Sequence, residues 1–184
     1  MMKKGILFGI ALVLIIGGAF GIHNFWQRTT PTRQETQMTP KRNRFRTAQM
    51  QFKKYGIRYL DYSNQLGTST IKMRKQLKNH QLITVSGKEY RTLTAAYRAE
   101  KMALKANGTT DKEARNRARC EEAMKTMKVN LTPVDQKTYR NAQKFMKAMK
   151  TYRYQVGDPT GSYGQFMKQT GKSYHAADDA INRI

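Results

Sequence analysis

Three regimes of hydrophobicity follow one another along the chain. From Ile6 to Ile22 no residue is charged or strongly polar. Residues 27–40 show no apolar period. From Phe45 onward apolar positions return every three or four residues. The first pattern predicts a membrane segment, the second a linker, and the third a set of amphipathic helices packed around a core.

The helical region is the longest. Phe45, Ala48, Phe52, Tyr55, Tyr59, Tyr62 and Leu66 form one seam down a helix of about six turns. Most of these side chains are aromatic. They read as bundle core, with the tyrosine hydroxyls near its wet edge; a stacking platform for bases or sugars is the sharper alternative. Gly67-Thr68-Ser69-Thr70 predicts the end of that helix, and Ile71, Met73, Leu77 and Leu82 a shorter one after it.

Start signals then recur. Ser86-Gly87-Lys88-Glu89 has the form of a capping box ahead of Tyr90, Leu93, Tyr97 and Leu104, and Asn107-Gly108 ends that helix. Thr110-Asp111-Lys112-Glu113 has the same form and opens a helix through Ala114, Ala118, Met124 and Met127. Thr132-Pro133-Val134-Asp135 opens another, running to about Gln155. On that helix Ala142, Phe145, Met146, Met149 and Tyr152 share one face, and Lys137, Arg140, Lys144 and Lys147 lie opposite. After the turn at Gly157-Asp158-Pro159, Gly161, Gly164 and Gly171 are expected to divide the tail into short helical pieces. Ile83-Thr84-Val85 is the one strand-like run, too short to build a sheet. The expected fold is all-α: a basic antiparallel bundle of about five or six helices over residues 41–184.

Ahead of it, the apolar run of residues 6–22 would reach about 26 Å as a helix, near the lower limit of a bilayer span. Phe25 and Trp26 suit the headgroup level on the far side. Residues 1–26 are therefore expected to be an uncleaved signal anchor, a single transmembrane helix. The rival reading is a signal peptide cut after Gly21, since Ala19-Phe20-Gly21 offers small residues at the two positions a signal peptidase reads. Residues 27–40, rich in Thr with Pro31 and Pro40, read as a polar linker. Lys3 and Lys4 favour a cytoplasmic N-terminus, although Arg28, Arg33, Lys41, Arg42 and Arg44 on the other flank pull the opposite way. Long downstream domains cross largely regardless of their charge, so the domain is expected outside the membrane, or secreted if the segment is cut.

Charge narrows the partners. There are 35 Lys and Arg against 12 Asp and Glu, a formal charge of +23, and only Lys3 and Lys4 of the bases precede residue 27. A chain so charged draws polyanions. Anionic polymers of a bacterial cell wall or lipid headgroups are the expected partners, with nucleic acid as the alternative. The residues proposed to meet them are Lys137, Arg140, Lys144 and Lys147, with Arg42, Arg44, Arg46, Lys53 and Lys54 as a second cluster.

Candidate chemistry is sparse. A single cysteine, Cys120, excludes an intramolecular disulfide and reads as a small buried thiol beside Glu121-Glu122. His175 precedes Asp178 and Asp179 on one helix face, too few ligands to define a metal site. No phosphate-binding glycine loop or zinc-finger spacing is present. No catalytic residue, cofactor or metal is assigned, and a binding role is expected over a wall-active hydrolase or a sensor.

Overall fold

The computed structural model describes residues 33–184, with side chains from Thr39. The apolar segment of residues 6–22, the Ala19-Phe20-Gly21 site and the first part of the linker lie outside the described residues. The chain divides into two compact units, Met1–Pro40 and Lys41–Ile184. Among the described residues the second unit is mainly helical, with one small hairpin.

Helix α1 spans Arg33–Lys78. It takes in residues 33–40, expected as linker, and Pro40 stands inside it, at the boundary between the two units. Proline there removes one helical donor. Downstream, Phe45, Ala48, Phe52, Tyr59 and Leu66 are buried as the seam predicts, and Tyr55 and Tyr62 are half-buried at its edge.

The expected break at residues 67–70 does not occur. Thr70 Oγ1 donates to the Leu66 carbonyl at 2.8 Å, so its hydroxyl is satisfied inside the helix. Gly67 is a packing position: a β-carbon there would overlap the Tyr152 side chain. Gly56 does the same against Ile181, whose Cδ1 would stand 2.6 Å from such a β-carbon. Both glycines let neighbouring helices approach the α1 backbone. The helix ends at Lys78 with His80 in the left-handed region (φ 58°). Gln81 N–H donates to the Gln76 carbonyl at 3.0 Å and His80 N–H to the Leu77 carbonyl at 3.1 Å, the two bonds of a Schellman cap.

The capping box expected at Ser86 is a hairpin turn instead. Strands β1 (Ile83–Val85) and β2 (Lys88–Tyr90) pair antiparallel, with Ile83 opposite Tyr90 and Val85 opposite Lys88. Ser86 and Gly87 join them with φ of 49° and 77°, as a two-residue turn with both positions left-handed requires. A hairpin this small has little stability alone. It is held because Ile83 and Val85 pack with Met73 of α1 and Ala96 of the next helix, forming a satellite core.

Helix α2 (Leu93–Ala106) starts at Thr92, whose Oγ1 accepts from Ala95 N–H at 3.3 Å. It ends at Asn107-Gly108 as expected. Asn107 Oδ1 then accepts from Thr109 N–H at 3.0 Å at the start of α3 (Thr109–Val129), so the second expected capping box is not formed. The helix runs through Ala114, Ala118, Met124 and Met127 as expected, with Ala114 and Ala118 on its exposed side. Its inward stripe is Thr109, Glu113, Asn116, Cys120, Ala123 and Met127. The spacing is as regular as an apolar seam, but its first half is polar and held by hydrogen bonds that hydrophobicity does not register.

The third start signal holds. Thr132 Oγ1 donates to Asp135 Oδ2 at 2.5 Å across a 3₁₀ turn, Pro133–Asp135, and α4 runs from Gln136 to Gly157. The tail forms one helix, α5 (Tyr163–Asn182), and is not divided at Gly164 and Gly171. Its N-terminus carries a true capping box: Gln165 N–H donates to Ser162 Oγ at 3.3 Å, and Ser162 N–H to Gln165 Oε1 at 3.0 Å. Neither helical glycine would place a β-carbon against a neighbour, so the cap and the buried positions Phe166, Thr170, Ser173, Ala177 and Ile181 outweigh their low propensity.

The main core gathers Phe45, Phe52 and Tyr59 from α1, Cys120 and Met127 from α3, Phe145 and Met149 from α4, and Ala177 and Ile181 from α5. Phe145 is its hub. Phe52 and Tyr59 meet it edge-on, with ring centroids at 5.7 Å and 6.4 Å. Each such pair is worth about 0.5–1.5 kcal/mol beyond the area it buries. A third cluster, Leu66 with Tyr152 and Val156, joins α1 to the C-terminal half of α4.

Candidate functional site

Helix α4 divides as its sequence predicts. Ala142, Phe145, Met149 and Tyr152 are buried and Met146 half-buried, while Lys137, Arg140, Lys144 and Lys147 are exposed. The division follows from helical spacing alone. None of the four cations forms an ion pair among the described residues, where the pairs are Arg117–Glu121 and Arg153–Glu113.

Lys144 and Lys147 also border a groove of about 780 Å³ along α4 and α5. Lys172 and Arg183 reach it from the α5 side, and Asp158 and Asp179 are the acids on its wall. Between the charges lie short polar groups, among them Thr151, Gln155 and Gln169. Tyr154 stands at the groove with 72% of its surface exposed. Ala148, Phe166, Ala176 and Ala180 also line it, so cations, hydrogen-bonding groups and apolar surface alternate along the groove. Lys137 and Arg140 continue the basic face along α4 but do not line the groove.

The second expected cluster lies near the start of the described part of α1. Arg42, Arg44, Arg46 and Lys54 are exposed and Lys53 is half-buried. They surround Phe45 and Phe52, which point into the core. None of these five borders the groove. The structure thus gathers Lys144 and Lys147 with Lys172 and Arg183, and leaves the α1 cluster as an open surface. Lys172 and Arg183 escape the sequence pattern because the tail reads as interrupted by glycines, which hides the face a single helix presents. The Ser162-to-Gln165 spacing is the signal that points to that helix.

The aromatic stripe offers no open stacking platform at Phe45, Phe52 and Tyr59, each 4% exposed or less. Tyr55 lies at the wet edge, its hydroxyl accepting from Arg119 Nη1 at 2.8 Å and its ring 4.7 Å from that guanidinium carbon.

Cys120 is buried, as the sequence suggests. Burial, and then the charge of Glu121, pushes its thiol from 9.0 up to about 12. Its Sγ lies 3.9 Å from the Phe52 carbonyl, to which it donates weakly. A thiol held neutral in this way is a poor nucleophile. His175 is exposed and meets the Tyr174 ring edge-on at 5.8 Å. Asp178 Oδ1 accepts from Asn182 Nδ2 at 3.3 Å. Among the described residues no group of three His, Cys, Asp or Glu side chains is arranged to hold a metal ion. Nor is any described helix long and apolar enough to cross a membrane.

In comparisons with protein-family models, curated proteins and solved structures, nothing matches this chain.

Proposed function

We propose that the chain is a membrane-anchored, extracytoplasmic helical protein that binds anionic polymers of the cell envelope or lipid headgroups. The observation that carries this reading is the face of α4, where Lys137, Arg140, Lys144 and Lys147 are all exposed and, among the described residues, no carboxylate pairs with them. Each cation close to an anionic surface adds up to about 1 kcal/mol, so a row of them gives binding that salt weakens. The groove beside Lys144 and Lys147 gives a flexible polymer a track to lie in. Nucleic acid is the second class of partner, but a base-stacking mode has lost its main support with the burial of the α1 aromatics. A thiol hydrolase draws no support from a Cys120 that is buried and neutral.

Two experiments test the two halves of the proposal. Cell fractionation with protease accessibility, together with the mass and N-terminus of the mature protein, tests anchoring. A full-length protein at the membrane with a protease-sensitive outer domain is expected; a cytosolic, protected domain would contradict it. Competition between wall polymer, anionic vesicles and single-stranded DNA tests the partner, and a clear preference for DNA would overturn the envelope reading.

A further inference from the structure

A second cavity, of about 450 Å³, lies beside α2, away from the α4–α5 groove. Its floor is apolar, made by Leu66 and Leu104 with the rings of Tyr62 and Tyr97. Arg98, Lys101 and Lys105 of α2 line it, and Arg153 reaches it from α4. Glu113 is the one acid among its lining residues.

That acid is already engaged. Ser63 Oγ donates to Glu113 Oε1 at 2.6 Å, and Arg153 Nε stands 2.5 Å from the same oxygen. Its charge is therefore matched by Arg153. Arg98, Lys101 and Lys105 make no ion pair among the described residues, although Lys101 Nζ stands 5.2 Å from the Tyr97 ring centroid. Three like charges around one apolar hollow repel one another unless an anion sits among them.

Arg153 adds a separate sign. Its Nη1 is buried with no hydrogen-bond acceptor, the one side-chain atom in that state among the described residues. Folded proteins rarely leave such a donor unsatisfied, because each costs about 1–3 kcal/mol. Yet 30% of the Arg153 side chain is open to solvent, and the residue lines the cavity. An anion seated in the cavity would lie beside a guanidinium whose hydrogen bonds are incomplete. The mouth also carries an apolar residue in water, Met102, which is 67% exposed.

From these features we infer that this cavity is a binding site for a small amphipathic anion, a phosphate monoester or carboxylate carried on an apolar body. The anionic head lies among Arg98, Lys101 and Arg153, and the body packs over Tyr62, Leu66 and Leu104 and is covered by Met102. The volume is within the range of small-molecule sites. Such a ligand has two sources, a single-chain lipid with an anionic head or a soluble aryl acid or phosphate. The site is distinct from the polymer-binding face, shares none of its residues, and stands or falls independently of it.

The test is calorimetric titration of the full chain in zwitterionic nanodiscs, with empty nanodiscs subtracted. The probes are octyl phosphate, phenyl phosphate, inorganic phosphate and benzyltrimethylammonium. Octyl or phenyl phosphate should bind about tenfold or more tightly than inorganic phosphate or the cation. Octyl alone marks a lipid source, phenyl alone a soluble aromatic one, and both a site that reads only the shared chemistry. The double variant Arg98→Gln with Lys101→Gln changes two cavity-lining cations and should weaken binding about tenfold or more. Thr94→Trp, at an exposed lining position, should block entry. Lys144→Gln with Lys147→Gln should leave probe binding unchanged. No binding by either organic phosphate, equal binding of the cation or of inorganic phosphate, or full binding by the Arg98/Lys101 variant would overturn the inference.

Discussion

Gly67 and Tyr152 compete for one space between α1 and α4: the Tyr152 ring and hydroxyl occupy the position where any side chain at residue 67 would begin. The hydroxyl, so placed, donates to Asn64 Oδ1 at 2.9 Å. Two effects then oppose each other in Gly67→Ala. Alanine gains about 0.5–1 kcal/mol of helix propensity, whereas overpacking costs about 1–3 kcal/mol. The clash should win, and urea denaturation should show a net loss of roughly 1–2 kcal/mol. Adding Tyr152→Phe should recover part of it, not all, because the ring carbon bearing the hydroxyl would still be only 2.9 Å away. A Gly67→Ala protein as stable as the parent would refute this packing.

Glu113 and Arg153 form the other tight long-range link, joining α3 to α4. Glu113 has only 10% of its side chain exposed, so losing its partner leaves a charge largely out of water. Arg153→Ala should cost about 1–3 kcal/mol, less than a fully buried pair, since the arginine itself is partly solvated. Glu113→Gln should cost less, because the amide still accepts from Ser63. A double-mutant cycle that gives no coupling would show that the two charges act independently.

Arg74 secures the connection between α4 and α5. Its guanidinium donates to the Pro159 carbonyl at 2.8 Å and to the Gly161 carbonyl, and lies 4.8 Å from the Phe166 ring centre. Lysine cannot reproduce a planar fork that bonds two carbonyls while stacking on a ring. Arg74→Lys should therefore raise hydrogen exchange and protease cleavage at residues 158–162, while the α1–α4 core stays protected. Unchanged exchange there would remove this role.

Alkali should destabilise the domain. Burial pushes the Cys120 thiol from 9.0 up to about 12 and the Tyr59 and Tyr97 hydroxyls from 10.0 up to about 12. Between about pH 9 and 12 the unfolded chain releases these protons and the folded chain keeps them. Stability from these groups is thus fully present below pH 9 and falls as pH rises through the window. Tyr59→Phe should make the fall shallower. Denaturation midpoints that stay level from pH 8.5 to 11 would contradict the assignment.

What the sequence reveals and what it hides divide on a physical line. The faces of α4 are legible because apolar and charged positions separate cleanly along one helix. The end of α2 is legible because Asn107 and Gly108 act locally. The continuity of α1 is not, since Gly67 and Thr70 look like breakers until Tyr152 and the Leu66 carbonyl are beside them. Ser86 to Glu89 satisfies both a capping-box pattern and a hairpin turn, and only the packing of Ile83 and Val85 on Met73 selects the hairpin. Glu113 at an inward position of α3 depends on Arg153, forty residues away in sequence. Of the site, Lys144 and Lys147 follow from helical spacing, whereas Lys172 and Arg183 follow only once the tail is one helix.

The most direct test is the salt dependence of binding to purified anionic wall polymer. It compares the parent chain with a variant in which Lys137, Arg140, Lys144 and Lys147 are all glutamine. In a plot of log affinity against log salt concentration, the parent should fall steeply. The variant should bind more weakly at low salt, with a slope shallower by about one for each cation removed from the interface. Equal affinity and equal slope for the two proteins at every salt concentration would contradict the α4 face as the polyanion interface.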